Sequence, residues 1–557
     1  MVLIHGNGTT FTLNGDLPLQ QQEEWWELPA GTGSLPTPHV ERGDRIWLPV
    51  DEGIALEADG VYEKGDLDFE EIAHPFCSRE ATMSLILIER GDAVLMIALE
   101  DGRYASYALK REAGIYQLSL HATAPTRVWY AVTQTAVQAC KLYRRLKGRC
   151  PLTLKQKADR NPALKQLFGG AVFWIWNETY DEVMYADHNT TVEPATGDAL
   201  LTVAAALKAD GVDKALMGIF FHKDSPYAEP LYRDYGYLST QYDNYNDVLN
   251  PALLDVIPCN RVAHCDYTAR RLKDFPAGLA RDAAGNPLSA WALRGFDGKM
   301  HDQNCLCPAI ARDRMIEEVA QVLRDYPAYK GRFVDVYGTG LTLCHDPSHP
   351  VTAETCVEVK RQAFEGLNGL GLLVGTEDGM EDLIDTLAYS EGIHSPSYFR
   401  IANAGRRHAN SYNSEEERHI SRHMLNPACR VPMWHLVYHD CLLTFPYWGD
   451  STDDSLAQVA DKVLFACLFG CPPLYSFAAK EFPRLKEAIV SSYRRITEVH
   501  EKVATLPMTD YRVLTEDYSL QTTVFGDRYR VVANFSEEAQ TFAGKTVPAK
   551  DFLFMEI

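Results

Sequence analysis

Hydrophobic and polar positions follow one period along the first part of the chain, change to another, and then return to the first. Up to about residue 150, short runs alternate apolar and polar side chains between Gly, Pro and Asp turns. Examples are Arg45-Ile-Trp-Leu-Pro-Val, Met83-Ser-Leu-Ile-Leu-Ile and Thr126-Arg-Val-Trp-Tyr-Ala-Val. Period two at this spacing predicts a β-sandwich over residues 1–155. From there to about residue 505, apolar strands alternate with longer helical stretches, the pattern of parallel β/α units. The predicted strands are Ala171–Trp176, Ala215–Phe220, Tyr235–Thr240, Arg332–Tyr337, Gly371–Gly375, Val431–Tyr438 and Pro473–Phe477, with an eighth expected between Ile393 and Ile401. Eight such units suit a TIM-type (β/α)8 catalytic barrel over residues 156–505. The stretch from Asn246 to Gly331 is too long for one loop and helix, so an inserted subdomain over about 246–330 is expected at the barrel mouth. After Asp510 the period-two pattern returns, predicting a small C-terminal all-β domain over 506–557.

Length and charge narrow the function classes. At 557 residues the chain exceeds one core, and a soft prior of about 150 residues per domain suggests three or four. A net charge of -22 argues against nucleic acid or an anionic membrane as partner. The start, Met-Val-Leu-Ile-His-Gly-Asn-Gly, lacks a basic region and an apolar run, and no later run approaches the length of a membrane span. A cytoplasmic location is the expectation. The odd number of cysteines, 13, without framework spacing fits a reducing compartment. Cys259, Cys265, Cys305 and Cys307 with His264 and His301 could be drawn as a zinc site. They lack paired C-x2-C knuckles, so buried free thiols are the preferred reading and no metal ligands are assigned.

Candidate chemistry gathers at strand ends. The runs Arg332-Phe-Val-Asp335 and Leu373-Val-Gly-Thr-Glu377-Asp378 form a β-α-β unit with a carboxylate at the carboxyl end of each strand, where barrels place their chemistry. Singly, a strand-end acid is as often a turn former or a helix cap. Recurrence at several strand ends of one barrel shifts the balance toward function. Gln241-Tyr242-Asp243-Asn244 closes the third predicted strand, and Trp434-His435 with His439-Asp440 marks a later one. Aromatic residues at or near these ends, Trp176, Tyr242, Tyr337, Trp434, Tyr447 and Trp448 among them, could stack on a sugar's C–H face while polar neighbours take hydroxyls. The candidate substrate-binding set is Trp176, Tyr242, Asp243, Asn244, Asp302, Gln303, Tyr337, His345, Asp378, Trp434, His435, His439 and Asp440. Asp302 and Gln303 enter from the end of the excursion, just before the helix that Pro308 opens.

On these residues the chain resembles glycoside hydrolase family 129 and its larger relative, family 101, which act on α-linked N-acetylgalactosamine. The resemblance rests on Phe333-Val-Asp-Val336, His345-Asp-Pro-Ser-His-Pro350, Gly375-Thr-Glu-Asp-Gly379 and Pro432-Met-Trp-His-Leu-Val-Tyr-His439, and on Thr523-Val-Phe-Gly-Asp527 with Val531-Val-Ala-Asn-Phe535. It implies Asp335 as nucleophile and Glu377 as acid/base of an α-acting enzyme, and the leading reading is an intracellular, exo-acting, retaining α-glycosidase. The substrate implied is a small glycoside or glycopeptide ending in N-acetylgalactosamine or a galactose-type sugar. The chemistry requires no cofactor, and the resemblance leaves room for a calcium ion without assigning its ligands. Two other readings stay open: a metal-dependent barrel hydrolase using His345, His349, His435 and His439, and a sugar-binding protein without turnover.

Overall fold

The computed structural model describes residues 2–15, 19–64, 67–68, 71–176, 196–220, 224–257, 272–401, 404 and 412–557. Eight parallel strands form its centre. They are β1 (Ala171–Trp176), β2 (Ala215–Ile219), β3 (Leu238–Ser239 continuing as Tyr242–Asn244), β4 (Gly331–Asp335), β5 (Leu373–Glu377), β6 (Tyr389–Glu391), β7 (Leu443–Phe445) and β8 (Leu474–Ala478). Ladders join β8-β1-β2-β3 and β3-β4-β5-β6-β7, and β3 belongs to both because its first half pairs with β2 and its second with β4. Among the described residues no ladder joins β7 to β8, although Thr452, beyond β7, donates its N–H to the Leu474 carbonyl at 2.8 Å. One interior cluster takes Trp174, Leu216, Tyr242, Phe333, Leu373, Tyr389, Leu443 and Leu474, at least one side chain from each strand. Strands buried on both faces read as unbroken apolar runs, which is why most were legible in the sequence.

Two strand expectations fail. Val431–Tyr438 is not a strand: Met433–Tyr438 is a short helix, every residue of it buried. A helix apolar all round shows no period that would separate it from a buried strand. The true seventh strand is Leu443–Phe445, and the sixth is Tyr389–Glu391, just before the expected window; at three residues each they carry too little pattern to be seen.

Helix ends are set locally. Thr352 caps Ala353–Gly369 through a capping box with Thr355, Pro308 opens Pro308–Asp325, and Gly470 closes Val459–Phe469 at φ 70°. The 246–330 stretch contains an antiparallel sheet of Asp247–Val248, Met300–Cys305 and Ser289–Arg294, followed by the helix Pro308–Asp325. Residues 258–271, with Cys259, His264 and Cys265, lie outside the described residues.

The N-terminal third is antiparallel β, with a nine-stranded sheet and a three-stranded one. It packs directly on the parallel strands' surroundings. Ile54 bridges to Arg430, the Trp434 N–H donates to the Glu52 carbonyl at 2.8 Å, and the Glu381 N–H to Thr82 at 3.0 Å. A four-stranded antiparallel sheet, Met508–Val513, Leu520–Phe525, Tyr529–Asn534 and Asp551–Glu556, closes the chain. Among the described residues no helix is long and apolar enough to cross a membrane.

Candidate active site

Register brings the two strand-end acids together. Asn244 on β3 lies opposite Asp335 on β4, Val334 opposite Thr376 on β5, and Glu377 opposite Glu391 on β6. One layer at the carboxyl ends of these strands therefore carries Asn244, Asp335, Glu377 and Glu391. Each of the two expected catalytic acids is followed by a residue with left-handed backbone, Val336 at φ 44° and Asp378 at φ 49°. That conformation is strained for a β-branched residue, and such strain concentrates at functional sites. Gly392 tolerates the turn at Asp378, since a Cβ there would stand 2.1 Å from Asp378 Oδ1.

Asp335 is buried, and its two oxygens differ. Oδ2 accepts from the Tyr242 hydroxyl at 2.5 Å and from Asn244 Nδ2 at 3.2 Å. Asn244 is itself oriented, because its Oδ1 accepts the N–H groups of Asn246 and Asp247 at 2.8 and 2.9 Å. Among the described residues Oδ1 of Asp335 has no hydrogen-bond donor. Burial, and then the adjacent Glu377 charge, push the Asp335 carboxyl well above the usual range, against the Tyr242 hydrogen bond.

A cation from the N-terminal region completes the pair. Arg79 donates from Nη2 to Glu377 Oε1 at 2.7 Å, and its Nε lies 2.7 Å from Asp378 Oδ2. Burial raises Asp378 to about 6 even though Arg79 and Arg400 pull it down. Burial also holds Glu391 well above its usual value, and it accepts the Trp174 indole N–H at 2.9 Å. Asp51 is raised by burial and then by the Asp378 charge, and it accepts the Ser397 N–H at 2.5 Å.

Aromatic side chains line the other flank. Trp176 stacks on Phe220 at 4.3 Å, Phe220 lies 4.8 Å from Tyr242 and 5.2 Å from Trp448, and Tyr447 lies 4.0 Å from Trp448. Arg400 sits over the Tyr447 ring at 4.0 Å. Trp448 is only half-buried, leaving ring surface for a ligand.

The structure thus gathers Asp335, Glu377, Asp378, Tyr242, Asn244 and Trp176, and it disperses the other candidates. Asp243 is held in a buried ion pair by Arg332 Nε at 2.6 Å. The Tyr337 hydroxyl donates to the Pro308 carbonyl at 3.0 Å, in the packing between helices. Trp434 is fully buried against Tyr438. His435 Nε2 meets Thr444 and Cys471 at 3.0 and 3.1 Å, and His439 lies between the Leu506 and Gly470 carbonyls at 2.6 and 3.1 Å. Asp440 is bound by Arg144 at 2.7 Å. His345 is exposed on the loop after β4, and His349 donates to the Ala277 carbonyl at 2.8 Å. The four histidines of the metal-hydrolase reading therefore do not converge. Asp302 and Gln303 stand on the antiparallel strand Met300–Cys305 rather than at a helix start, with Asp302 exposed and Gln303 buried. No hydrogen bond among the described residues joins either of them to the carboxylate pair.

Arg79, Asp51 and Glu391 were missed. The first two come from the remote β region and the third from a strand too short to read, so sequence proximity held no signal for them. Asp450 is engaged by Arg400 at 2.6 Å, and Asp454 by Lys462 and the Tyr412 hydroxyl.

Two buried carboxylates closing adjacent parallel strands, beside an aromatic wall, make the kind of site that cleaves glycosidic bonds. The family model described as glycosyl hydrolases related to the GH101 family, GH129, matches residues 206–524. The chain belongs to that family and is a glycoside hydrolase. Among solved structures it is similar to the ligand-free α-N-acetylgalactosaminidase NagBb from Bifidobacterium bifidum, with TM-score 0.67 and 17% identity over 94% of this chain and 83% of that one. The GalNAc complex of NagBb matches with TM-score 0.67 and 16% identity, covering 98% and 88% of the two chains. A GH31 dextranase from Flavobacterium johnsoniae matches with TM-score 0.52 and 10% identity, covering 100% and 68%. At these identities the likeness is one of fold. No curated protein sequence matches the chain.

Proposed function

We propose that this glycoside hydrolase is an exo-acting, retaining α-glycosidase that removes a terminal N-acetylgalactosamine or galactose-type residue from a small glycoside or glycopeptide inside the cell. In this reading the eight parallel strands close as a (β/α)8 barrel, supported by their common interior cluster. The observation that carries the proposal is the pairing of Asp335 with Glu377 at neighbouring strand ends, where the Glu377 charge acts on Asp335. The NagBb likeness supports the α-linked N-acetylgalactosamine class.

The chain's own geometry suggests the division of labour. Tyr242 and Asn244 fix Asp335 through Oδ2, leaving Oδ1 to attack the anomeric carbon. Glu377 then protonates the leaving oxygen and later takes a proton from the water that releases the sugar. Arg79, bound to Glu377 and facing Asp378, positions the acid/base and balances charge as its proton leaves and returns.

The test is a panel of aryl α- and β-glycosides, with NMR of the first-formed sugar anomer. Release from aryl α-N-acetylgalactosaminide or α-galactoside, with the α-anomer appearing first, is expected. A β-anomer appearing first would remove the nucleophile assignment.

A further inference from the structure

Outside the carboxylate site, two thiols and an imidazole converge where the loop after β4 meets the excursion between β3 and β4. Cys307 directly precedes the helix Pro308–Asp325. Cys344 and His349 belong to a turn closed by reciprocal bonds, Cys344 N–H to the Val351 carbonyl at 2.9 Å and Val351 N–H to the Cys344 carbonyl at 2.8 Å. One ligand atom from each of the three residues lies within 4.8 Å of the other two. Cys344 Sγ is 3.4 Å from His349 Nδ1. A tetrahedral zinc ion, with Zn–S near 2.3 Å and Zn–N near 2.0–2.1 Å, places its ligands roughly 3.5–3.8 Å apart, so a modest adjustment suffices.

The imidazole is already oriented for such a role. His349 Nε2 lies 2.8 Å from the Ala277 carbonyl, which only accepts, so the proton is on Nε2 and the bare Nδ1 faces Cys344. Carbonyl-held Nε2–H with a free Nδ1 is how proteins fix a metal-binding histidine. Cys307 and Cys344 are buried, whereas His349 is only half-buried and lets solvent approach. Two thiolates and an imidazole select a borderline ion such as zinc over calcium or magnesium. Three protein ligands leave one position for water.

We propose that Cys307, Cys344 and His349 bind one zinc ion, with water as the fourth ligand. The ion would clasp the loop leaving the Asp335 strand to the excursion that precedes it. The same seam is held by Arg281 with Asp346 at 3.2 Å and by the His345 N–H to the Arg281 carbonyl at 2.9 Å, so the clasp would reinforce an existing contact. Metal entry must displace the thiol protons, because the thiolate is the ligand.

The test uses the full chain, reduced and stripped of metal, then supplied with Zn2+ or Co2+ at neutral pH. One equivalent of zinc retained after desalting, proton release on binding, and a thiolate-to-cobalt charge-transfer band are expected. Cys307→Ser and Cys344→Ser should each abolish the band and the retention, while Cys150→Ser, at an exposed cysteine elsewhere, should keep both. Circular dichroism checks that the variants fold, and the parent's titration decides the matter if they do not. Retention far below one equivalent in the parent, a band surviving in both ligand variants, or a Cys307–Cys344 disulfide with no zinc uptake after reduction would each overturn the site.

Discussion

Asp51 and Glu52 are adjacent in sequence and equally buried, yet they join opposite kinds of cluster. Glu52 accepts from Arg430 Nε at 2.5 Å and lies 2.6 Å from His394 Nδ1. Burial pushes its carboxyl up, but Arg430 and His394 outweigh that and bring it down to about 2. Asp51 faces the other way, toward Asp378, and is pushed well above its usual range. Burial by itself therefore does not set a carboxylate's charge; its partners do. The Glu52 cluster is balanced and joins the β region to the parallel-strand region. The Asp51, Asp378, Glu377, Asp335 and Glu391 cluster has more acids than cations, which weakens the fold but keeps protons available for chemistry.

The comparison breaks most visibly at the reacting pair. Asp335→Ala should remove nearly all turnover of every substrate, because no other group attacks. Glu377→Ala should cost about 10²–10⁴-fold on an unactivated glycoside. On a dinitrophenyl glycoside it should spare the first step, giving a burst of phenol release and acceleration by azide. Equal responses of the two variants in burst kinetics would reverse or cancel the assignment.

The balanced cluster should fail in stability instead. Arg430→Ala leaves Glu52 buried with half its compensation and should cost about 3–5 kcal/mol in denaturant unfolding. The fraction that remains folded should keep its kcat/KM. A variant as stable as the parent would show that the triad is not what joins the two regions.

Arg79 tests the join between cluster and chemistry. Arg79→Ala should lower kcat by about 10²-fold with little loss of stability, and Arg79→Lys should recover only part of it, since one ammonium does not reproduce the two-sided contact. Unchanged kinetics would return Arg79 to a packing role.

The smallest effects are shifts with pH. Asp378 titrates near 6, above the usual carboxylate value, so the stability tied to its protonated form is present at acid pH and lost as pH rises through about 6. Asp378→Asn should therefore gain in melting temperature relative to the parent as pH rises from about 4 to about 6, and keep that gain above it. In the same sense, Glu377→Gln removes the like charge that raises Asp335. The acid limb of kcat/KM on an activated glycoside should move to lower pH. A limb that stays in place would uncouple the two carboxylates.

The sequence by itself determined the alternation of apolar strands and helices, the antiparallel flanks, and the two strands that end in Asp335 and Glu377. These were legible because a short buried strand reads as an apolar run and its terminal acid interrupts that run. Tertiary structure alone decided which other residues meet the pair. Tyr242 and Asn244 stood out as a strand-end cluster, but only the register of β3 against β4 aims them at Asp335. Asp243, between them, points to the opposite face and into Arg332, as strand alternation requires. Pro432-Met-Trp-His-Leu-Val-Tyr-His439 looked like site and strand together, because a helix buried on all sides and a buried strand share one composition. Arg79 reaches Glu377 across 298 positions of sequence. No local pattern encodes such a contact, since it exists only once two separately patterned regions have packed and the guanidinium meets the acids.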